Sequence, residues 1–312
     1  MSTDTTGRAA SVGLAFAVVS ALSFGLSGPF AKALIDAGWS SAGTALVRIG
    51  GSAVVVLLLL AVLRPGVVAA VRHDAPALLL YGLLAMAGVQ VAFFNAVRYM
   101  PVSIALLLEY LGPVLVIAWV WVVRRQPPSR RTLLGAGIAI LGLLLVVQIW
   151  SGTAIAPAGL AWGLAASVCQ ASYFLLADRA GAQTPPLVLA GVGMAVGTVV
   201  VAVLGAVGLL PIVLTTPSEV VLAGTNLGWV VTAALLVLVS TVLAYLTGIF
   251  AIRRIGAARG SLVALLEVVV SALAGWLLLG EVPAVIQLAG GALILLGVAL
   301  TRPRPETLPE TL

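Results

Sequence analysis

Four ionisable side chains, Lys32, Arg48, Glu109 and Glu267, fall well inside long apolar runs of this 312-residue chain. Each costs at least about 2.5 kcal/mol at the centre of a bilayer, so together they represent roughly 10 kcal/mol that partners or function must explain. A carboxylate facing a wet cavity can bind an amino group or take up a proton. Glu109 and Glu267 are therefore the expected centre of a substrate site. The bland reading of the same set is pairing, since the four charges sum to zero: Arg48 or Lys32 meets Glu109 and only locks helices together. Lys32 and Arg48 are expected in that structural, charge-pairing role.

Other polar side chains recur at helical spacing. Ser20, Ser23 and Ser27 share one face, as do Gln170 with Tyr173, and Thr241 with Tyr245. Ser261, Ala264, Glu267 and Ser271 make a small, polar face, and Gln90, Phe94 and Asn95 add amide and aromatic groups. Gln90, Phe94, Asn95, Gln170, Tyr173, Thr241 and Tyr245 are accordingly expected to line the site with the two glutamates. Against this, Ser and Thr often bond their own backbone or glue helices together.

No enzyme chemistry emerges. Gly25-Leu26-Ser27-Gly28 resembles a serine-protease motif, but the single histidine, His73, falls in a loop beside Arg72 and Asp74. The single cysteine, Cys169, permits no intramolecular disulfide and no cysteine metal cluster. Without a nucleotide-binding motif or metal-spaced His/Asp cluster, no catalytic residue, metal or cofactor is expected.

The elements that hold these residues follow from composition. The chain is 62% hydrophobic and 8% charged, with mean hydropathy +1.22. An ordinary soluble domain has about a quarter of its residues charged, so that class is excluded. The net charge of +6 and pI near 10.2 come without basic clusters interleaved with aromatics, so no nucleic-acid partner is expected. Apolar runs bounded by Pro, Gly or charge give ten spans of about 20 residues. They run over 12–35, 41–63, 76–97, 102–123, 132–149, 157–177, 186–210, 229–252, 257–279 and 284–301. Transmembrane strands would alternate instead. The expected fold is an all-α polytopic membrane protein whose first span is retained rather than cleaved.

Loop cations set the orientation. One face collects Arg8, Arg64, Arg72, Arg124, Arg125, Arg130, Arg131, Arg179, Arg253, Arg254, Arg259, Arg302 and Arg304, while the other receives only Arg98 in its loops. Both termini are thus expected in the cytoplasm, which requires an even number of spans in the cytoplasmic (inner) membrane.

The chain also repeats itself. Ala96 to Leu145 overlies Ala251 to Leu300 at a constant offset of 155, with Trp121, Pro128, Gly135 and Gly142 among the identities. Gly13-Leu14-Ala15 is echoed by Gly159-Leu160-Ala161. Each half then holds five spans. Because five is odd, the halves insert with opposite orientation, as in secondary transporters whose site lies at the midplane between repeats. The expected organisation is a cytoplasmic tail over 1–11, one repeat over 12–150, a second over 157–301 and a cytoplasmic tail over 302–312. Gly28-Pro29 and Gly112-Pro113 are expected bending points. Glycines such as Gly193 with Gly197, and Gly135 with Gly142, are expected at packing contacts or a dimer seam, leaving monomer or homodimer open.

The chain resembles the ten-helix EamA branch of the drug/metabolite transporter superfamily. The resemblance rests on Lys32, Arg48, the stretch from Ala96 to Ser103, Leu108-Glu109-Tyr110-Leu111-Gly112-Pro113, Ala251-Ile252-Arg253-Arg254-Ile255, Glu267-Val268 and Leu279-Gly280-Glu281. Through the pattern from Pro101 to Pro113 and Ser240-Thr241, it is most similar to bacterial threonine and homoserine exporters. The resemblance implies export of small metabolites, often amino acids, across the inner membrane. The chain departs from the family at Glu267-Val268, where a Glu-Pro pair is common. The expected function is alternating-access secondary transport of small polar metabolites, amino acids first, with proton coupling through a glutamate. Broad export of drugs or aromatic metabolites is the alternative, followed by a lipid-linked carrier or scramblase.

Overall fold

The computed structural model describes residues 3–63, 75–125, 127–147, 156–180, 185–263 and 266–301. The protein is mostly helical. Six segments are long and apolar enough to cross a membrane: Ser11–Asp36, Ser41–Val62, Ala75–Ala96, Val102–Val123, Leu187–Ala206 and Gly228–Ala251. Two shorter apolar helices cover Leu266–Leu279 and Val285–Gly297. Large apolar side chains point outward, with Val62 80% and Leu134 67% exposed, while Ser52, Arg48 and Glu109 are buried. A hydrocarbon solvent favours this inversion, because apolar surface loses nothing there and polar groups must find partners inside. The chain is a polytopic membrane protein.

Prolines decide where several helices break. Helix α1 (Thr3–Gly25) ends one residue before α2 (Ser27–Asp36). Pro29 cannot donate to the Gly25 carbonyl, and its ring crowds that carbonyl. Helix α3 covers Ser41–Leu63. The next span is composite: α4 (Ala75–Leu80), a π-helical segment π1 (Tyr81–Gly88) and α5 (Val89–Ala96). A turn then leads to Pro101, the residue flanking α6 (Val102–Glu109). Tyr110 and Leu111 separate α6 from α7 (Gly112–Arg124), where Pro113 sits in the first turn and its missing N–H costs nothing. Helices α8 (Arg130–Val147), α9 (Pro157–Ala180) and α10 (Pro186–Ala206) follow.

The second half differs at its matching junction. After α11 (Gly228–Ala234) and a second π-helical segment, π2 (Leu235–Leu243), helix α12 runs without interruption over Ala244–Val263. The expected loop near Arg253 is therefore helical, and the ninth apolar helix, α13, covers only Leu266–Leu279. Shifted by 155 residues, Pro101 falls on Gly256, so the helix-stopping ring of the first copy is missing from the second. The polar face expected on one ninth helix is consequently split. Ser261 belongs to α12, Ala264 lies outside the described residues, and Glu267 and Ser271 sit one turn apart on α13. The chain ends its described part with α14 (Val285–Thr301).

Helices α8 and α14 make the most extensive helix pair, followed by α1 with α12. Glycine permits the first: a Cβ on Gly142 would lie 2.5 Å from the Gly290 carbonyl oxygen, and one on Gly297 would lie 2.5 Å from that of Gly135. The segment between α10 and α11 carries a two-stranded hairpin, β1 (Val221–Leu222) and β2 (Thr225–Asn226), turned through Ala223 and Gly224 at positive φ. It is tied down by Ala223 N donating to the Leu278 carbonyl, Trp39 Nε1 donating to the Thr215 carbonyl, and Ser40 exchanging two bonds with Val213. The tails, the Arg64 to Asp74 segment with Arg72 and His73, and Arg302 and Arg304 fall largely or wholly outside the described residues.

Candidate functional site

Arg48 is the hub of the polar interior. It projects from the middle of α3 and is 5% exposed. Its Nε donates to Thr241 Oγ1 at 2.9 Å, its Nη1 donates to Gln90 Oε1 at 2.6 Å, and its guanidinium carbon lies 5.5 Å from the centre of the Phe94 ring. Three of the expected site residues, from two different stretches of chain, thus converge on the cation the sequence placed in a purely structural role. The aromatic face adds a cation–π contact.

The π-helical segments explain the convergence. In π2 the Thr241 hydroxyl donates to the Leu236 carbonyl five residues back at 2.9 Å, which turns an oxygen lone pair toward Arg48. Ser240 bonds the same carbonyl at 2.7 Å. A wide π turn offers this carbonyl to side chains, a feature common at functional positions. Gln90 stands two residues beyond π1.

The two glutamates lie beside this hub without touching it. Glu267, in the first turn of α13, accepts a hydrogen bond from the Tyr110 hydroxyl at 2.9 Å. Glu109 closes α6, is 8% exposed, and has no hydrogen-bond partner among the described residues. Arg48, Glu109 and Glu267 interact electrostatically with one another, and Tyr245 is within the same field. One turn beyond Glu267, the buried Ser271 hydroxyl also lacks a partner among the described residues.

The remaining expected residues divide. Tyr245 packs edge-on against Phe24, ring centres 5.0 Å apart, and its hydroxyl approaches the Met86 sulfur at 3.9 Å. Tyr173 packs against Tyr81 with centres 5.7 Å apart. Gln170 lies against Gly112, at the break before α7. Asn95 turns back on its own helix, its amide donating to the Val91 carbonyl at 2.8 Å. Ser20 acts as glue, donating to the Ala244 carbonyl at 2.8 Å.

Lys32 is elsewhere. It pairs with Glu281 at 2.5 Å, rather than with Glu109, and the second Glu281 oxygen accepts the backbone N–H of Val102 at 2.9 Å. This is the one ion pair among the described residues. It borders a cavity of about 630 Å³ lined by Lys32, Asp36, Ala223, Trp276 and Glu281, under the hairpin. Sequence reasoning gave no role to Glu281, Tyr110, Tyr81 or Phe24. Glu281 looked like an ordinary loop carboxylate, and only its place in the Leu279-Gly280-Glu281 motif marked it.

Comparison with known proteins agrees with this architecture. The EamA-like transporter family matches twice, over residues 11–148 and 157–302. The chain is 28% identical over 265 residues to the uncharacterized transporter YyaM of Bacillus subtilis, covering 83% of this chain and 84% of that one. It is 28% identical over 251 residues to the threonine/homoserine exporter RhtA of Escherichia coli K12, covering 76% and 75%. An uncharacterized inner membrane transporter, YicL, of Salmonella typhimurium is 26% identical over 67% of each chain. A protein crystal structure superposes with a TM-score of 0.60 at 20% identity, over 93% of this chain and 96% of that one, and shares the fold.

Proposed function

This chain belongs to the EamA-like transporter family, and we propose that it is a secondary transporter exporting small polar metabolites, with amino acids as the principal class. The observation that carries the reading is the buried charged cluster. Arg48 and Gln90 come from the first matched copy and Thr241 and Glu267 from the second, so the cluster sits where two moving halves would share a substrate. The relatives include a transporter named as a threonine/homoserine exporter.

Ten helices would form two inverted halves. Two local features support this. Shifted by 155 residues, π1 falls on Leu236 to Leu243, within π2. In the same frame Gly135 corresponds to Gly290 and Gly142 to Gly297, and the contacts cross over, Gly142 meeting Gly290 and Gly297 meeting Gly135. Crossed contacts between equivalent positions are what a twofold axis between antiparallel helices produces. Rocking the halves about this axis would expose the cluster alternately to each side. The arginine-rich loops assign both termini to the cytoplasm of an inner membrane.

Glu267 is the proposed proton carrier, because a buried carboxylate held by one tyrosine hydroxyl can exchange a proton without losing its place. Its neighbours in this role are Tyr110, Arg48, Glu109 and Tyr245. Glu267→Gln is expected to retain binding and to lose stimulation by an imposed proton gradient. Unchanged pH dependence in proteoliposomes would remove Glu267 from coupling. A second reading, export of aromatic compounds, is favoured by the Phe94 ring against Arg48 and by the Phe24–Tyr245 and Tyr81–Tyr173 pairs in the interior.

Inverted vesicles offered radiolabelled amino acids, aromatic cations and fluorescent lipids separate the classes. Accumulation of amino acids supports the proposal, aromatic cations alone support the second reading, and lipid movement alone points to a scramblase.

A further inference from the structure

Glu281, in the second matched copy, holds two separate elements of the first with one carboxylate. Its Oε1 pairs with Lys32 Nζ on α2 at 2.5 Å, and its Oε2 accepts the backbone N–H of Val102, the first residue of α6, at 2.9 Å. Hydrogen bonds with a charged partner are roughly twice as strong as neutral ones, and the helix dipole favours a carboxylate at a helix N-terminus. Pro101, before Val102, supplies no side-chain cap, so the cap comes from the other copy. The carboxylate is also seated. Glu281 N donates to the Gly275 carbonyl at 3.1 Å, Gly280 turns the chain at positive φ, and a Cβ on Gly275 would lie 2.9 Å from Oε2.

The first copy does not repeat the charge. Shifted by 155 residues, Gly280 falls on Arg125, which also has positive φ, so the two turns match. Glu281 falls on the neutral Gln126, which lies outside the described residues.

The cavity beside the pair offers Lys32 a second partner. Asp36 lines the same space of about 630 Å³, is exposed, and stands four residues after Lys32 on α2, a spacing at which helical side chains meet. It is the last residue of the helix, where the dipole disfavours an anion, and a cation one turn back offsets that cost. A lysine four residues before an acid makes a weaker pair than the reverse order. Lys32 can thus reach Asp36 by side-chain rotation alone, yet stays on Glu281 while the two copies are in contact.

We infer that Glu281 is the latch of a gate beside this cavity, closing it through Lys32 and Val102, and that Asp36 receives Lys32 when the latch parts. The inference rests on the transport reading above, whose topology puts the gate on the outer side, and it assigns the residues that hold and release it. Substitutions then act with opposite sign. Weakening the latch enlarges the fraction of protein open to the outside, whereas removing the receiving carboxylate leaves Lys32 unpaired in the open gate and diminishes that fraction. Apparent affinity at each face scales with the fraction competent there, so the ratio of cytoplasmic to outer KM follows the gate equilibrium directly.

The test uses the full chain in right-side-out and inverted membrane vesicles, with labelled L-threonine as the probe and KM measured at each face. Glu281→Gln, which keeps an oxygen for Val102 and loses the charge, is expected to raise the ratio at least about fivefold, the upper range for a partly exposed ion pair. Asp36→Asn is expected to lower it about twofold, as loss of an i,i+4 pair does, and Asp36→Glu to restore it. Lys32→Met should act as Glu281→Gln does, and adding Asp36→Asn to it should change nothing further. If Glu281→Gln does not fold, as judged by size-exclusion chromatography, Lys32→Met breaks the same pair and takes its place. A ratio unmoved in either the latch variant or Asp36→Asn, or moved the same way by both, with threonine still carried, overturns the inference and leaves the transport reading standing. Vesicles that carry no amino acid at either face overturn the reading, and the inference falls with it.

Discussion

Arg48 illustrates how one charge can be made tolerable inside a membrane protein. Its bonds to Thr241 and Gln90 involve a charged donor, and each such bond contributes about 1.5–3 kcal/mol. Thr241→Val keeps the shape and removes the acceptor, so it is expected to cost stability in that range, measured by unfolding in denaturing detergent. Asn95, by contrast, spends its amide on the Val91 carbonyl. Asn95→Ala is expected to leave threonine transport within about twofold, since a helix-internal bond of this kind contributes about 1 kcal/mol at most. The sequence marks Thr241 and Asn95 for the site and Arg48 for charge pairing, because type and depth are visible in it. What it cannot display is direction: Arg48 and Thr241 are 193 positions apart, and only the folded chain shows that they meet. The same limit hid Glu281, whose partner Lys32 is 249 positions away.

Helix boundaries were legible wherever a proline fixed them, and misread where the second copy had lost one. Pro29, Pro101 and Pro113 each mark an observed break or start. At Gly256 the missing ring lets α12 continue to Val263, and a reading based on the first copy placed a loop there. The π-helical segments left no sequence signal, since an i to i+5 pattern has no apolar period of its own over eight or nine residues. Glycine positions were readable as packing contacts, and the structure gives them a measurable consequence. Gly142→Leu would drive a side chain into the Gly290 carbonyl, whereas a Cβ on Gly137 meets nothing within 4 Å. Gly142→Leu is therefore expected to destabilise the protein by about 1–3 kcal/mol or more, as overpacking does. Gly137→Ala should unfold like the parent in the same assay.

At the scale of the whole molecule, the Arg48 cluster and the Lys32–Glu281 pair occupy separate places in the fold. The Lys32–Glu281 pair and the hairpin border one cavity, and Trp39 bonds Thr215 in the same connecting segment; the proposed topology puts them on the outer side. If the halves rock, these contacts must part. In a Cys169→Ser background, Lys32→Cys with Glu281→Cys joined by a bifunctional thiol reagent is expected to stop transport, while either cysteine alone should not. Topology has its own check: Arg98→Cys should react with an impermeant maleimide from outside the cell, and Arg125→Cys only after lysis. The membrane class and the family were readable because hydropathy and short motifs survive in one dimension. The docking of the hairpin was not, because its sequence carries only turn signals such as Ala223-Gly224.

Counterflow of labelled L-threonine in proteoliposomes addresses the whole account at once, because only a carrier that alternates between two faces concentrates label against its gradient in exchange for unlabelled substrate inside. The account predicts a transient overshoot in vesicles preloaded with threonine, abolished or strongly reduced by Arg48→Gln and Glu109→Gln. No overshoot with threonine or any other amino acid, from protein shown to be folded, would contradict it.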